Sequence, residues 1–234
     1  MTRAARFISA YNRIDRKLRT LFRVRNTSSF SDAVRRAATQ SAVVRKYEDD
    51  LLDYARLRNA IVHNSDTDMI IAEPHESVVK KIEHIEQLLL RPPHAVGTVA
   101  KPAVTVGGET KLRQVIRIMT EGDYSNLPVI AGGEIAGVIN NKRIVESIAA
   151  ALADGKDADG YLSGASAESI LKGSTRHYRI MPDSATVEEV LNEFTADRKL
   201  QIILFTPGGA YDAPIRGVVT TGDLIDVNRI MDDY

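Results

Sequence analysis

The 234-residue sequence contains no cysteine, which excludes a disulfide framework and thiolate chemistry and fits a reducing compartment. Nowhere do 18 apolar residues come together, and the arginine-rich start has no apolar run of signal-peptide length. A membrane-spanning helix and a secretion signal are therefore not expected. We predict a soluble, cytoplasmic protein with no membrane partner.

Patterns typical of metal sites and phosphate-binding loops are missing as well. His75, His84, His94 and His177 have no spacing that gives a metal cluster, so we interpret them as surface or loop residues and predict no metal. The glycine pairs that begin at positions 107, 132 and 208 lack the spacing of a dinucleotide or P-loop fingerprint. Turns explain these pairs better.

The net charge is zero, but the charges are unevenly distributed. Residues 1–46 contain 12 Lys or Arg and two acids, Asp15 and Asp32, so the remaining residues carry the compensating negative charge. A cationic block favours a polyanion partner such as RNA, because neutralising phosphates releases counterions. The alternative is that solvated, positive helix faces meet the acidic remainder of the chain.

Two related heptapeptides lie 80 positions apart, GVINNKR at 137–143 and GVVTTGD at 217–223. In each, a glycine precedes a β-branched run typical of a strand, and a polar residue then begins a helix, where free backbone N–H groups can hold an anion. The second copy adds Asp223, whose two oxygens could accept from a pair of vicinal hydroxyls. We therefore predict that the second copy is competent for a nucleotide and that the first is altered.

The elements around these heptapeptides repeat in the order β-α-β-β-α. The predicted strands cover 103–106, 127–130 and 135–139 in the first unit, and 178–181, 201–206 and 215–219 in the second. Repetition of this kind indicates units that bury their faces against each other. Residues 152–169, rich in Ala, Asp, Gly and Ser, are predicted to be a soft linker between the units.

This order, with SNLPV at 125–129 and the 217–223 turn, resembles a tandem CBS-domain pair, or Bateman module, over roughly residues 95–234. The resemblance implies CBS units at 95–152 and 170–234 and a regulatory adenine nucleotide: ATP, ADP, AMP or a cyclic dinucleotide. The implied site has ribose on Asp223, phosphate on Thr220, and an opposing wall of Val104, Tyr124, Ser125 and Pro128. Asn140 and Arg143 depart from the pattern, so the second, pseudo-symmetric cleft is either empty or a phosphate subsite.

Helical periodicity continues through residues 1–91. The apolar stripes are Phe7, Tyr11, Ile14, Leu18 and Leu21; Val44, Tyr47, Leu51 and Tyr54; and Val78, Ile82, Ile85 and Leu89. The predicted fold class is therefore α+β, with an N-terminal all-α helical bundle followed by the two β-α-β-β-α units.

Arg58 falls where the second stripe predicts an apolar side chain, and a charge there is costly unless it is paired or hydrated. Asn59 and His63 are four residues apart and Arg58 precedes Asn59, so the three side chains can converge on one helix. This pattern resembles the Arg-polar…His motif of HEPN domains. That resemblance, over residues 1–91, implies a homodimeric, metal-independent endoribonuclease in which Arg58 stabilises the phosphorane, His63 is the general acid or base and Asn59 positions them.

Two functions follow from the combination. In the first, an adenine nucleotide bound by the CBS pair regulates a HEPN-like ribonuclease. In the second, the protein is a non-catalytic nucleotide sensor whose helical domain serves dimerisation or partner docking, and Arg58 and His63 are structural. A helical subunit that serves a separately encoded nucleotidyltransferase is also compatible with the sequence.

Overall fold

The computed structural model describes residues 1–25, 27–62, 73–171 and 177–233. The chain is a mixed α+β protein with an N-terminal helical region and two small three-stranded sheets. It divides into two compact units. The first comprises Met1–Pro93, Thr186–Asn192 and Asp226–Tyr234, and the second comprises His94–Ala185 and Glu193–Ile225.

The first unit is built on helices that bury the predicted stripes. These helices are α1 (Arg3–Leu21), α2 (Phe30–Ala38), α3 (Ala42–Lys46), α4 (Glu48–Val62) and α5 (Glu76–Leu90). Phe7, Ile14 and Leu18 are fully buried on α1, as are Ile82 and Ile85 on α5, so these members of the two stripes are core positions as expected.

Two details of the stripes differ from the prediction. Leu21 is exposed because it lies in the last turn of α1. The second stripe is buried throughout but is divided between two helices, since α3 ends at Lys46, with Tyr47 as its C-cap, and α4 begins at Glu48. Ser29 and Ser41 explain two of the helix starts, because each accepts a backbone N–H three residues further on.

The second unit contains two sheets of the same topology. The strands are β1 (Val106–Gly107), β2 (Asn126–Ala131) and β3 (Glu134–Asn140) in one sheet, and β4 (Tyr178–Pro182), β5 (Ile202–Thr206) and β6 (Gly217–Thr220) in the other. In each sheet the first strand pairs parallel with the second, and the second pairs antiparallel with the third. The repeated element order predicted from the sequence is therefore present.

Helices connect and follow these strands. They are α6 (Leu112–Gly122), α7 (Asn141–Ala153), α8 (Ala158–Gly164), α9 (Val187–Ala196) and α10 (Leu224–Asp233). Residues 187–192 of α9 and 226–233 of α10 are counted in the first unit. Over the described residues, no helix is long and apolar enough to cross a membrane.

Two apolar clusters form part of the core of the second unit. Ile135 and Val138 of β3 pack with Ile202 and Leu204 of β5. A second, larger cluster lies under α6 and includes Leu112, Val115, Met119, Leu127, Val129, Ile139 and Ile144.

The segment predicted as a soft linker, residues 152–169, contains α8. Asp157 caps this helix by accepting the N–H of Gly160 at 2.7 Å. Ala167 is buried in the larger cluster, and Tyr161 and Leu162 pack against it. The segment predicted to be soft is therefore partly helical, and its polar composition concealed these few apolar anchors.

Candidate functional site

A cavity of about 460 Å³ lies within the second unit. All six residues predicted to form the nucleotide site line it: Val104, Tyr124, Ser125, Pro128, Thr220 and Asp223. The cavity has the volume of a small-molecule site. The structure thus brings the six side chains around one space, and their role in binding a ligand stays a prediction.

Thr220 and Asp223 lie at the polar end of this cavity, where β6 ends and a short 3₁₀ turn leads into α10. The N–H and the hydroxyl of Thr220 both donate to Oδ2 of Asp223, each at 2.7 Å. This arrangement is a capping box. It is favoured where a Thr is followed three residues later by a carboxylate. It fixes the orientation of the carboxylate before any ligand is present.

The second oxygen of Asp223 has a partner that the sequence did not suggest. Lys101 Nζ lies 2.5 Å from Oδ1 of Asp223, across 122 positions of the chain. Burial raises the pKa of Asp223, but the hydrogen bonds from Lys101 and Thr220 outweigh it, and the net pKa lies below its usual range. The carboxylate is therefore ionised at neutral pH.

Lys101 is held beside the turn by its own backbone. Its N–H donates to the carbonyl of Val218 at 2.9 Å, and its carbonyl accepts the N–H of Val218 at 2.8 Å. Gly217 permits this approach, since a Cβ there would lie 2.9 Å from the Cβ of Ala100. Of the strand predicted over 103–106, only Val106 pairs with β2, and the pairing continues to Gly107.

Tyr124 is placed by the end of α6. Asp123 adopts the left-handed conformation, with φ of 52°, and the N–H of Tyr124 donates to the carbonyl of Met119 at 2.8 Å. The aromatic ring passes so close to Gly122 that a Cβ at that position would lie 2.0 Å from it. Tyr124 is 38% exposed, so its ring is available to a ligand in the cavity.

The remaining lining residues include both apolar and polar side chains. Pro128, Ile202 and Val218 supply aliphatic surface. Asn126 also lines the cavity, and its side-chain oxygen is buried with no hydrogen-bond partner among the described residues. A buried acceptor without a donor is costly, so Asn126 is a candidate ligand contact that the sequence patterns did not identify.

The equivalent turn of the first sheet is constructed differently. Oδ1 of Asn140 accepts the N–H of Arg143 at 2.8 Å, and its amide nitrogen donates to Gln201 at 2.8 Å. Arg143 lines a separate hollow of about 300 Å³ that also contains Glu146 and Asp154. Asn140 is therefore engaged in structural hydrogen bonds. Within the described ranges, no three His, Asp or Glu side chains come together as metal ligands.

The predicted catalytic trio is described in part. Arg58 is partly buried and Asn59 is exposed near the end of α4. Nη1 of Arg58 lies 3.4 Å from the side-chain oxygen of Asn59, so these two side chains do meet. His63, the predicted general acid or base, lies outside the described residues.

One segment of the chain matches the model of a known protein family. Residues 96–150 match the family model of the CBS domain. The matched residues include Val104, Tyr124, Ser125 and Pro128, the wall opposite Asp223. No curated protein matches the chain. The HEPN interpretation of residues 1–91 stays a prediction.

Several solved structures are similar to part of the chain. A CBS domain-containing protein of unknown function from Kribbella flavida is 18% identical, with a TM-score of 0.47, over 58% of this chain and 99% of that one. The CBS domain of a membrane protein from Sphaerobacter thermophilus is 17% identical, with a TM-score of 0.46, over 59% and 89%. The CBS domain of a bacterial CNNM/CorC family Mg²⁺ transporter, in complex with ATP, is 22% identical, with a TM-score of 0.44, over 62% and 92%.

Proposed function

We propose that the protein is a sensor that binds an adenine nucleotide in the cavity lined by Tyr124 and Asp223. The observation that carries this proposal is the carboxylate of Asp223, which Thr220 holds in a fixed orientation in a cavity that is also lined by aromatic and aliphatic side chains. A nucleotide needs both kinds of surface, because its base is flat and its sugar donates hydrogen bonds. The CBS-domain match over residues 96–150 supports the same ligand class.

The arrangement of the ligand follows from which atoms are already engaged. Oδ2 of Asp223 accepts two hydrogen bonds from Thr220 and Oδ1 accepts one from Lys101, so a ribose hydroxyl binds Oδ1 in place of the ammonium. The base packs between Tyr124 and the aliphatic side chains of Pro128 and Ile202. The unpartnered oxygen of Asn126 accepts from an amino group of the ligand, which removes the cost of its burial.

The regulatory part of the proposal concerns α10. This helix begins directly after Asp223, and its residues from Asp226 onward are counted in the helical unit. There, the carbonyl of Met231 accepts from the hydroxyl of Tyr47 at 2.9 Å. A ligand that binds one position of the capping turn more tightly than another would thereby shift the helical unit towards the corresponding arrangement. This requires that the ligand binds the two arrangements of the protein with different affinities.

For the helical unit, two functions remain as alternatives. One is a metal-independent endoribonuclease acting on RNA through Arg58, Asn59 and His63, and the other is a dimerisation or docking module with no catalytic role. The cationic block of residues 1–46 supports the RNA alternative.

Ribonuclease assays with and without ATP decide between the two alternatives for the helical unit. Activity that is lost in both Arg58→Ala and His63→Ala supports the catalytic one. Light scattering tests the proposed homodimer, and fractionation of cells tests the proposed cytoplasmic location.

The nucleotide proposal is tested by native mass spectrometry of the purified protein and by calorimetry with ATP, ADP, AMP and cyclic dinucleotides. A co-purifying adenine nucleotide, or saturable heat with at least one of these ligands, supports it. If no adenine compound binds the full chain, the proposal is wrong.

A further inference from the structure

The ion pair between Lys101 and Asp223 gives the cavity a feature that nucleotide binding alone does not require. The ammonium occupies Oδ1 of Asp223, the oxygen left by the capping box for a ribose hydroxyl. We propose that Lys101 is a specificity-determining residue that admits phosphorylated nucleosides and disfavours unphosphorylated ones. This inference rests on the proposed function.

The charges around the cavity make Lys101 the group that a phosphate would contact. Among the described residues that line the cavity, Lys101 is the only cationic one, and Asp123 and Asp223 are acidic. A phosphate entering this space meets two carboxylates, which repel it unless a cation compensates. The hydroxyl of Thr220 already donates to Asp223 at 2.7 Å, so it does not donate to a phosphate in this arrangement.

The exposure of the two partners shows which of them can move. The Lys101 side chain is 61% exposed and the Asp223 side chain is 10% exposed. The carboxylate is also held by Thr220, whereas the lysine side chain is a flexible stem on a backbone fixed by Val218. Because the lysine end of the pair is exposed, the ammonium remains hydrated when it leaves Asp223, so Lys101 can exchange Asp223 for another anion.

A phosphorylated ligand supplies that anion. Its phosphate attracts the ammonium of Lys101, and the departure of Lys101 leaves Oδ1 of Asp223 to accept from the ribose. A nucleoside such as adenosine supplies the hydroxyl but no anion, so it must compete with the ammonium for the same oxygen. Lys101 therefore strengthens nucleotide binding by contacting the phosphate and weakens nucleoside binding by occupying Oδ1 of Asp223.

The test is calorimetry on the full chain with adenosine, AMP, ATP and inorganic phosphate. For Lys101→Met, the preference for AMP over adenosine should fall by about tenfold or more. AMP loses the hydrogen bond between its phosphate and the ammonium, whereas adenosine loses its competitor for Oδ1 of Asp223. Lys101→Gln should behave in the same way, and Lys101→Arg should retain most of the preference. Lys142→Met is the matched control, since Lys142 is exposed and pairs with Glu146 on α7.

The outcomes separate this inference from the proposed function. If the wild-type protein binds neither AMP nor ATP nor adenosine nor ADP nor a cyclic dinucleotide, the proposed function itself is wrong. If it binds AMP or ATP and the Lys101→Met and Lys101→Gln variants keep the wild-type ratio of AMP to adenosine affinity, Lys101 does not determine specificity and the proposed function stands. Binding of inorganic phosphate that competes with AMP and is lost in Lys101→Met supports the phosphate contact directly.

Discussion

The hydroxyl and the backbone N–H of Thr220 both donate to the same carboxylate oxygen of Asp223. One residue pair thus begins α10 and presents an acid to the cavity. Since the helix cap and the candidate ligand contact share a side chain, replacement of that side chain should affect both stability and binding. The two effects can be measured separately.

Asp223→Asn should weaken adenine-nucleotide binding by at least about tenfold, because the ribose loses a charged acceptor. The cap retains an oxygen acceptor but loses its charge, so the free energy of unfolding should fall by only ~1 kcal/mol. Calorimetry gives the first quantity and denaturant unfolding the second. Asp226→Asn is the control, since Asp226 is exposed in the first turn of the same helix. Unchanged affinity in Asp223→Asn would remove the ribose contact from the proposal.

The lowered pKa of Asp223 predicts a pH dependence of stability. Because the folded-state pKa lies below that of the unfolded chain, the ionised group stabilises the fold above the unfolded value of about 3.9. That contribution is lost as the pH falls through the folded-state value. The stability difference between the wild type and Asp223→Asn, measured by denaturant unfolding, should therefore be larger at pH 6 than at pH 3. An equal difference at both pH values would contradict the assigned hydrogen bonds.

Much of the second unit could be predicted because its local signals agree with its tertiary structure. The apolar run before Gly132-Gly133 and the one after it are β2 and β3, and the turn residues lie between them. The Thr and Asp at 220 and 223 have capping-box spacing, and the structure contains that box. In both cases, the determinants lie within a few residues of one another, which is the range that sequence patterns report.

Contacts between distant segments were not predictable in the same way. The sequence favoured a strand over 103–106, but most of it is unpaired and Lys101 instead bridges to Val218. No local pattern indicates that pairing, nor the ion pair with Asp223 that depends on it. The wall formed by Val104, Tyr124 and Pro128 was identified through family resemblance rather than from residue spacing.

Gly122→Ala should reduce ligand affinity without unfolding the protein. An added Cβ would lie 2.0 Å from Cε2 of Tyr124, so the ring must rotate away from its present position. Because Tyr124 is 38% exposed, this rotation costs little packing. The affinity for AMP, measured by calorimetry, should fall about fivefold or more, as expected for loss of a stacked base.

The matched control for this change is Gly164→Ala, also near the end of a helix, where an added Cβ meets no atom within 4 Å. It should leave AMP affinity unchanged. Tyr124→Ala should reproduce the loss seen in Gly122→Ala, and the double variant should be no worse than either single one, since both act on the same ring. Full affinity in Gly122→Ala would show that the ring does not contact the ligand.

The attachment of α10 to the helical unit gives a last prediction. The carbonyl of Met231 accepts from the hydroxyl of Tyr47 and lies 2.9 Å from Nε2 of His84. Burial, followed by the charge of Asp232, raises the pKa of Tyr47, so its hydroxyl remains a donor at neutral pH. Tyr47→Phe keeps the ring and should reduce the unfolding free energy by ~1 kcal/mol, with Tyr211→Phe, at an exposed position, as the unaffected control.

Because Tyr47 and His84 serve one carbonyl, their replacements should not be additive. In either single variant, the carbonyl of Met231 keeps one partner, whereas Tyr47→Phe combined with His84→Ala leaves it with neither of the two. The double variant should therefore lose more stability than the sum of the single losses. Denaturant unfolding of the four proteins measures this coupling. Simple additivity would mean that the two side chains stabilise α10 independently and that the shared carbonyl is not their common point of attachment.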